Sequence, residues 1–582
     1  MKRGSSHELA ALLLTEAITY ATITVGITLW VLLLDKKAAF DTVLKEHVIT
    51  SAYSAADYRA DQSLLYIANR LVSRRTFLQS SSSLMGPIND QVGVEQGGVS
   101  SGDLFQLVNG EELKVTNSAG LGLNMGGVSL GSIGVADDVA LISPCPHALQ
   151  SLLNLSQSLT TSRCMVNVPE KTKLLVYSPK GDTSASILGP TLPITMDDSP
   201  LSPSKQAEHV GVLRSTCGTN LPALTSRIAA HGKSLYAVIS VGMARSHRGN
   251  PAASLRVEST YCAPKLFSGL ATLNLSKQEI EILSVHRRLT LQQLQRLHPQ
   301  TPAPAIHFLS GSLPAAALLH MQYFTLLHMI ACLGPSNILH QHALYSLHHN
   351  IQHSWFKTVR SVSQQYSLPD PIQILLSPPP KKHYKHVVRK SVISHWHSAL
   401  QTEAAGKRSL QFLRPAFLPL GSGPHPLWWT CGSSPTAVRA ATVQAKMLSG
   451  RYRTCWLRRH FGFGETGACR LPGCGITPGD TAHILSGECP ALLPALTATI
   501  YNIQDQFSPF PQLLVPLLSS LQGDRLQIST FILDPSTDSK VISLQQEFGQ
   551  EVLRPIFRAS RAWVWSVHRT RMRLLGLEEY LL

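Results

Sequence analysis

Two aspartates stand side by side in Gly134-Val135-Ala136-Asp137-Asp138-Val139-Ala140-Leu141-Ile142, between apolar residues that read as the two arms of a hairpin. Paired like charges at a tight turn in an apolar frame destabilise a fold unless a cation joins them. Mg²⁺ suits such a place, because it takes hard oxygen ligands from one or two carboxylates and keeps positions open for substrate phosphates. A third carboxylate is offered by Asp35, at the end of the apolar run Val31-Leu32-Leu33-Leu34, where a lone charge is otherwise unfavourable. An Asp-Asp pair alone is most often a turn or a helix cap, so the weight rests on the combination. A second chemistry is spelled by Cys469, Cys474, His483 and Cys489, spaced C-x4-C-x8-H-x5-C. Three thiolates and an imidazole match tetrahedral Zn²⁺, and Pro472, Gly473, Gly475, Pro478 and Gly479 suit the turns it needs. The alternative is a set of unpaired structural cysteines.

The elements that must carry these residues follow from the hydrophobic pattern. Leu9 to Leu34 holds Glu16 as its only charge and is long enough for a transmembrane helix. Its character changes midway, however. Leu9 to Ala17 has helix formers at helical spacing, and Ala21 to Leu34 is rich in Thr, Ile and Val around Gly26, which predicts a helix, a connection and a buried strand. Glu16 would also be costly in lipid. Up to about Leu213 short apolar runs alternate with Gly and Ser, with helices expected over Ala56 to Val72 and His147 to Leu159, an α+β pattern. From Thr225 to Leu297 only helical periodicity remains.

The order of motifs carries a family resemblance. Asp35-x-x-x-Ala39-Phe40-Asp41, Gly93-Val94-Glu95-Gln96-Gly97-Gly98-Val99-Ser100-Ser101, Ala136-Asp137-Asp138-Val139, Asn167-Val168-Pro169-Glu170-Lys171-Thr172-Lys173 and His209-Val210-Gly211-Val212 succeed one another with helical gaps. Together they resemble five palm motifs of a reverse transcriptase, nearest in look to those of LINE-type (non-LTR) retrotransposons. The resemblance spans Lys2 to Arg214, and Leu235 to Arg288 looks like the helical thumb that follows. Lys2 to Glu8 looks like the middle of a fingers motif, so a truncated N-terminus is expected. Val135 stands where the family usually has an aromatic residue, and Gly102 where proline is common.

The resemblance implies roles for these residues. Asp35, Asp137 and Asp138 would hold two Mg²⁺ ions for nucleotidyl transfer. Phe40 would lie under the incoming sugar and exclude a 2′-hydroxyl; the other reading is a core aromatic, and both can hold. Gln96 and Gly97 would approach nucleotide and template closely. Lys171 would offset triphosphate charge, with a plain surface lysine as the alternative. His209 to Val212 would grip the primer backbone. Cys469, Cys474, His483 and Cys489 resemble the CCHC knuckle downstream of the polymerase, with Leu448-Ser449-Gly450-Arg451-Tyr452 as its lead-in. Such a site is structural, since four protein ligands leave no open position.

Composition is consistent with a polyanionic partner. Lys and Arg outnumber Asp and Glu by 51 to 35, for a net charge of +16. At 582 residues, 44% hydrophobic and 15% charged, the chain is too apolar to be mostly disordered. Ten irregularly placed cysteines exclude a secreted disulfide scaffold. Five histidines between Pro302 and Pro380 (His340, His342, His348, His349, His353) lack ligand spacing and predict a polar helix surface. Lys381 to His460 holds fourteen Lys or Arg against Glu403 alone, interleaved with Tyr384, Trp396, Trp428, Trp429, Tyr452 and Trp456. Such a field suits stacking on unpaired bases, or else a solvated face over core aromatics. Gln545 to Leu582 predicts one or two basic amphipathic helices carrying Arg554, Arg558, Arg561, Arg569, Arg571 and Arg573.

The expected architecture is α+β, a right-hand polymerase palm with partial fingers over 1–214 and a helical thumb over 215–297. A helical connector over 298–380, a basic region with a zinc knuckle over 381–495 and a helical tail over 496–582 make up the mostly α remainder. The expected activity is RNA-directed DNA polymerisation, with two Mg²⁺, a knuckle Zn²⁺, an RNA template, a DNA primer or target, and dNTPs. The compartment expected is intracellular, nuclear or cytoplasmic. Competing readings are a decayed element that only binds nucleic acid and a protein anchored in a membrane by Leu9 to Leu34.

Overall fold

The computed structural model describes residues 7–37, 39–56, 61–72, 75–79, 83–89, 92–94, 101–179, 194–239, 249–460, 466–507, 519, 521 and 523–577. They are mixed α+β and gather into two compact units. One comprises Met1–Ser226, Phe267–Glu279 and Leu319–His386, and the other Arg227–Leu266, Ile280–Leu318 and Val387–Leu582. The expected segment borders at 214, 297, 380 and 495 do not coincide with the borders of these units.

The first unit is built on a four-stranded antiparallel sheet. Helix α1 (His7–Thr19) continues through a π-helical turn over Tyr20–Val25, and Gly26 at φ 77° ends it before strand β1 (Leu29–Leu34). The helical part therefore reaches eight residues beyond Ala17, into the Thr, Ile and Val stretch expected to be extended. Tertiary packing outweighs the weak β preference of that stretch, since Ala21 is fully buried in the same core as Leu14 and Ala17. The helix His7–Val25 is apolar and long enough to cross a membrane, and half of it is buried inside the protein.

Strand β1 pairs antiparallel on both sides, and all six of its residues are buried. Leu29, Val31 and Leu33 face α1, whereas Trp30, Leu32 and Leu34 face the opposite core. A strand covered on both faces reads as an unbroken apolar run, which is why Leu29–Leu34 shows no polar alternation. The remaining elements of this core are α2 (Ser101–Ser118), β2 (Ser132–Val135), β3 (Asp138–Ser143), α3 (Pro146–Ser162) and β4 (Lys173–Tyr177). The strand order is β2-β3-β1-β4. Helix α3 begins with Pro146 in its first turn, a position where the missing N–H costs nothing, and lays Leu149, Leu152 and Leu153 on the sheet. A separate hairpin, β5 (Gln206–His209) and β6 (Val212–Ser215), turns at Val210 and Gly211, both with positive φ. The helix expected over Ala56–Val72 covers Gln62–Val72, and Ala56 instead closes the preceding helix Lys45–Ala55.

Buried histidines lock two further helices into this unit. On α4 (Ile338–His348), His340 Nε2 donates to Leu375 O at 3.2 Å, and His342 is buried against Glu16. Only His348, His349 and His353 lie at the surface, so the expected polar histidine face is corrected at two of its five residues. Helix α5 (Trp355–Gln365) starts at an Ser354 cap and buries Trp355, Phe356 and Val359.

The second unit is helical among the described residues. Its core joins α6 (Pro435–Leu448), α7 (Thr481–Leu485), α8 (Arg525–Leu533) and α9 (Leu553–Leu574). Helix α9 is one long helix whose apolar face carries Phe557, Trp563, Val564 and Val567, all buried. Two of its arginines turn inward. Arg561 donates to Thr430 Oγ1 at 2.7 Å and Thr430 O at 2.9 Å, and Arg571 reaches Tyr452 OH at 3.3 Å. Arg554, Arg558, Arg569 and Arg573 stay exposed.

Candidate active site and metal centre

The sheet brings the three aspartates of the first unit to one end, although among the described residues they are not one of the groups of three or more Cys, His, Asp or Glu side chains close enough together to hold a metal ion. Leu34 pairs with Val139 and Leu33 with Ala140, so Asp35, the residue just past the end of β1, follows in the direction of Asp138 at the start of β3. Val135 pairs with Asp138, and the turn between them holds Ala136 at φ 53° and Asp137. The carboxyl of Asp138 is held above the usual carboxylate range, by burial first and by the charge of Asp137, with smaller contributions from Asp35 and Glu208 and an opposing one from His7. Asp35 is anchored from the other side, where Val168 N donates to its carbonyl at 2.8 Å.

Other expected residues are placed less uniformly. Lys171 Nζ lies 3.6 Å from Asp35 Oδ1, with both side chains well exposed. Phe40 stacks on Phe105, with ring centroids 4.7 Å apart, and packs at the rim of the core containing Val43 and Val108. Its carbonyl accepts from Val94 N at 2.7 Å, and a Cβ on Gly93 would meet Asp41 O at 3.0 Å. Gln96 and Gly97 lie outside the described residues. In the β5–β6 hairpin His209 is buried, and its imidazole is pushed down to about 3 by burial and by Arg214. Arg214 is itself buried and donates to Thr15 Oγ1 at 2.7 Å and to Ala11 O at 2.5 Å. His209 is thus a core residue rather than a surface ligand.

Behind the acidic end lies a network that spacing alone did not reveal. Lys36, next to Asp35, is buried and donates to Asn109 Oδ1 at 2.7 Å and to Glu112 Oε2 at 2.6 Å. Ser156 donates to the second Glu112 oxygen at 2.6 Å. Asn109 Nδ2 donates to Ala136 O. The three-residue interval between Asn109 and Glu112 puts both on one face of α2, but no sequence signal pairs that face with Lys36.

In the second unit Cys469, Cys474, His483 and Cys489 converge. Their ligand atoms all lie within 4.8 Å of one another, the one such group of three or more Cys, His, Asp or Glu among the described residues. Cys474 Sγ is 3.2 Å from His483 Nε2, and Cys469 Sγ is 3.9 Å from Cys489 Sγ. The loop folds back on itself through Cys469 N to Ile476 O at 2.9 Å and Gly479 N to Gly467 O at 2.8 Å. Gly479 is required there, because a Cβ would come within 2.7 Å of Cys469 N. Asp480 caps α7 by accepting from His483 N at 2.9 Å. His483 Nδ1 faces Glu488 Oε2 at 3.7 Å, a charge contact longer than a hydrogen bond, which leaves Nε2 toward the thiols. Arg525 ties Asp480 and Glu488 together, at 3.2 and 3.3 Å. Burial pushes the Cys489 thiol up to about 12, a shift a bound cation would reverse, and lowers the His483 imidazole toward the neutral form a cation requires. Asp480, Glu488 and Arg525 escape a reading of spacing, since only the four ligands form a pattern.

The basic stretch is divided by burial. Tyr384, Trp428 and Tyr452 belong to the core, and Trp428 donates to Gln295 Oε1 at 3.1 Å. Trp396 and Trp429 are half-buried, and the Arg554 guanidinium lies 5.4 Å from the Trp429 ring centroid. The Trp456 side chain lies outside the described residues.

No protein-family model matches the chain, and no curated protein matches it.

Proposed function

We propose that the chain is an RNA-directed DNA polymerase of the LINE type, with its catalytic carboxylates at the sheet end formed by β1 and the β2–β3 hairpin. The observation that supports this most is the register Leu34 with Val139, which sets Asp35 beside the hairpin bearing Asp137 and Asp138. A lone Asp-Asp turn gives no reason for a third carboxylate to sit there. The Asp138 carboxyl is held up by burial first and by the charge of Asp137 second, and carboxylate oxygens are the hard donors that suit Mg²⁺. Bound there, Mg²⁺ would lower the pKa of a primer 3′-hydroxyl and neutralise charge on the leaving pyrophosphate.

The side chains have separable tasks in this reading. Asp35 and Asp137 hold the metal-binding face, and Asp138 adds negative charge from the hairpin's second strand. Lys171, paired with Asp35 and exposed, is free to swing toward a triphosphate because an exposed pair of this kind is worth at most about 1 kcal/mol. Phe40 presents a rigid aromatic edge fixed by its stack on Phe105. The Cys/His centre, with four protein ligands and Glu488 behind the imidazole, suits structural Zn²⁺ that fixes a loop for nucleic-acid contact.

Primer extension on an RNA template with Mg²⁺ and dNTPs tests the reading. Product that vanishes in Asp137→Asn supports it. RNA binding with no product from the unaltered chain points instead to a nucleic-acid-binding remnant.

A further inference from the structure

Lys36 and Asn109 connect the two backbone segments that carry the aspartates. The Lys36 side chain leaves β1 directly after Asp35 and is wholly buried, as is its ion-pair partner Glu112. On its way it also reaches Asn109 Oδ1, and the amide nitrogen of the same Asn109 donates to Ala136 O in the turn just before Asp137. Helix α2 therefore grips both the Asp35 strand and the Asp137 turn through one amide side chain with opposite ends engaged. Ser156 from α3 fixes the far oxygen of Glu112, so the carboxylate cannot rotate away from the lysine. The turn needs an outside hold, because Ala136 sits at φ 53°, a region that costs an alanine about 1 kcal/mol or more.

We infer that Lys36, Asn109 and Glu112 are positioning residues that set the separation of Asp35 from Asp137, with Asn109 as the link that holds the Ala136 turn in its left-handed conformation. A buried ion pair is weak grounds for stability, since apolar replacements of similar volume often do as well. Its use here is geometric. Satisfied on every side, the network admits a single arrangement of α2 against the sheet end. Its bearing on catalysis rests on the polymerase reading, but the tether itself does not.

The tether is tested without any activity by backbone amide exchange on the full chain, followed at the peptides spanning Gly134 to Val139. Asn109→Asp is close to isosteric and keeps an oxygen for Lys36, but it presents a carboxylate oxygen to Ala136 O in place of a donor. Asn109→Leu removes the link and leaves the Lys36–Glu112 pair intact. Exchange at the turn is expected to accelerate about tenfold or more in both, with α3 and β4 unchanged. Should either variant fail to fold, Asn109→Ser, which draws the polar group away from Ala136 O and leaves the Lys36–Glu112 pair in place, carries the same expectation. Turn exchange equal to the unaltered chain in every folded variant overturns the inference. With an active chain, Asn109→Asp is expected to lower kcat roughly 10- to 100-fold at unchanged KM for dNTP. Unchanged kcat alongside faster exchange would show that the tether exists and does not serve the aspartates, which also overturns the inference. An unaltered chain without polymerase activity counts against the polymerase reading alone, because the exchange result still decides the tether.

Discussion

His342 Nε2 lies 3.1 Å from Glu16 Oε2, with both side chains about 1% exposed, although 326 residues separate them along the chain. The same carboxylate accepts from Ser354 Oγ at 2.7 Å and from Trp355 N at 2.7 Å. The sole charge of the apolar N-terminal stretch is therefore the node that docks α1 onto α4 and the start of α5. Its burial is tolerable because both carboxylate oxygens accept hydrogen bonds, Oε1 from Trp355 N and Oε2 from Ser354 and His342.

Glu16→Ala is expected to remove about 3 kcal/mol of stability, since it strands a buried backbone N–H, a hydroxyl and an imidazole together. A urea or thermal melt of the full chain reads this directly. A loss below about 0.5 kcal/mol would mean that the node does not form.

The Cys/His centre is expected to take up one Zn²⁺ per chain, measured by elemental analysis after dialysis. Cys474→Ser should abolish retention of the metal. Glu488→Gln, which weakens the hold on His483 Nδ1, should lower affinity about tenfold. Gly479→Ala should lower it as well, through the clash with Cys469 N. Retention of zinc by Cys474→Ser would place the metal elsewhere.

Acid sensitivity follows from the buried imidazoles. His209 is pushed down to about 3, and His307 and His568 to about 4, each mainly by burial. The unfolded chain binds these protons near pH 6.5 and the folded one does not, so their contribution is fully present above about pH 6.5. It is lost as pH falls toward the folded values, at about 1.4 kcal/mol per pH unit for each group. Stability measured between pH 7 and pH 5 should fall steeply, and His209→Gln should flatten the slope by one proton. An unchanged slope in that variant would show His209 to be accessible to solvent.

Divalent cation binding at the sheet end should be visible as stabilisation. Mg²⁺ at a hundredfold its Kd should add about 2.7 kcal/mol to the unit that binds it. The gain should disappear in Asp35→Asn and in Asp137→Asn. A gain that survives both substitutions would locate the ion outside the acidic cluster.

Several features were legible along the chain because they depend on neighbours in sequence. The unbroken apolar run before Asp35 spelled a strand covered on both faces, and the Gly and Pro punctuation around Cys469 and Cys474 spelled a turn-rich loop. Burial within a helix was less legible. His340 and His342 share their spacing with exposed histidines, and only packing separates them. The same holds for Trp428 and Tyr452, core residues within a strongly basic stretch, and for Arg561 and Arg571, which point inward from a helix whose other arginines face water.

Residue order determined that Asp137 and Asp138 lie at a hairpin, that Asp35 follows a buried strand, and that three cysteines and a histidine lie within 21 residues. Those are local properties, set by turn chemistry, hydrophobic period and short loops. Tertiary structure alone decided that Leu34 pairs with Val139 and that Lys36 reaches across to Glu112. It also decided that Glu16 finds His342. A one-residue slip of β1 would reverse which of its side chains face α1, and only the two packed cores together exclude it. Contacts between distant segments depend on the sum of such exclusions, which no short window of sequence contains.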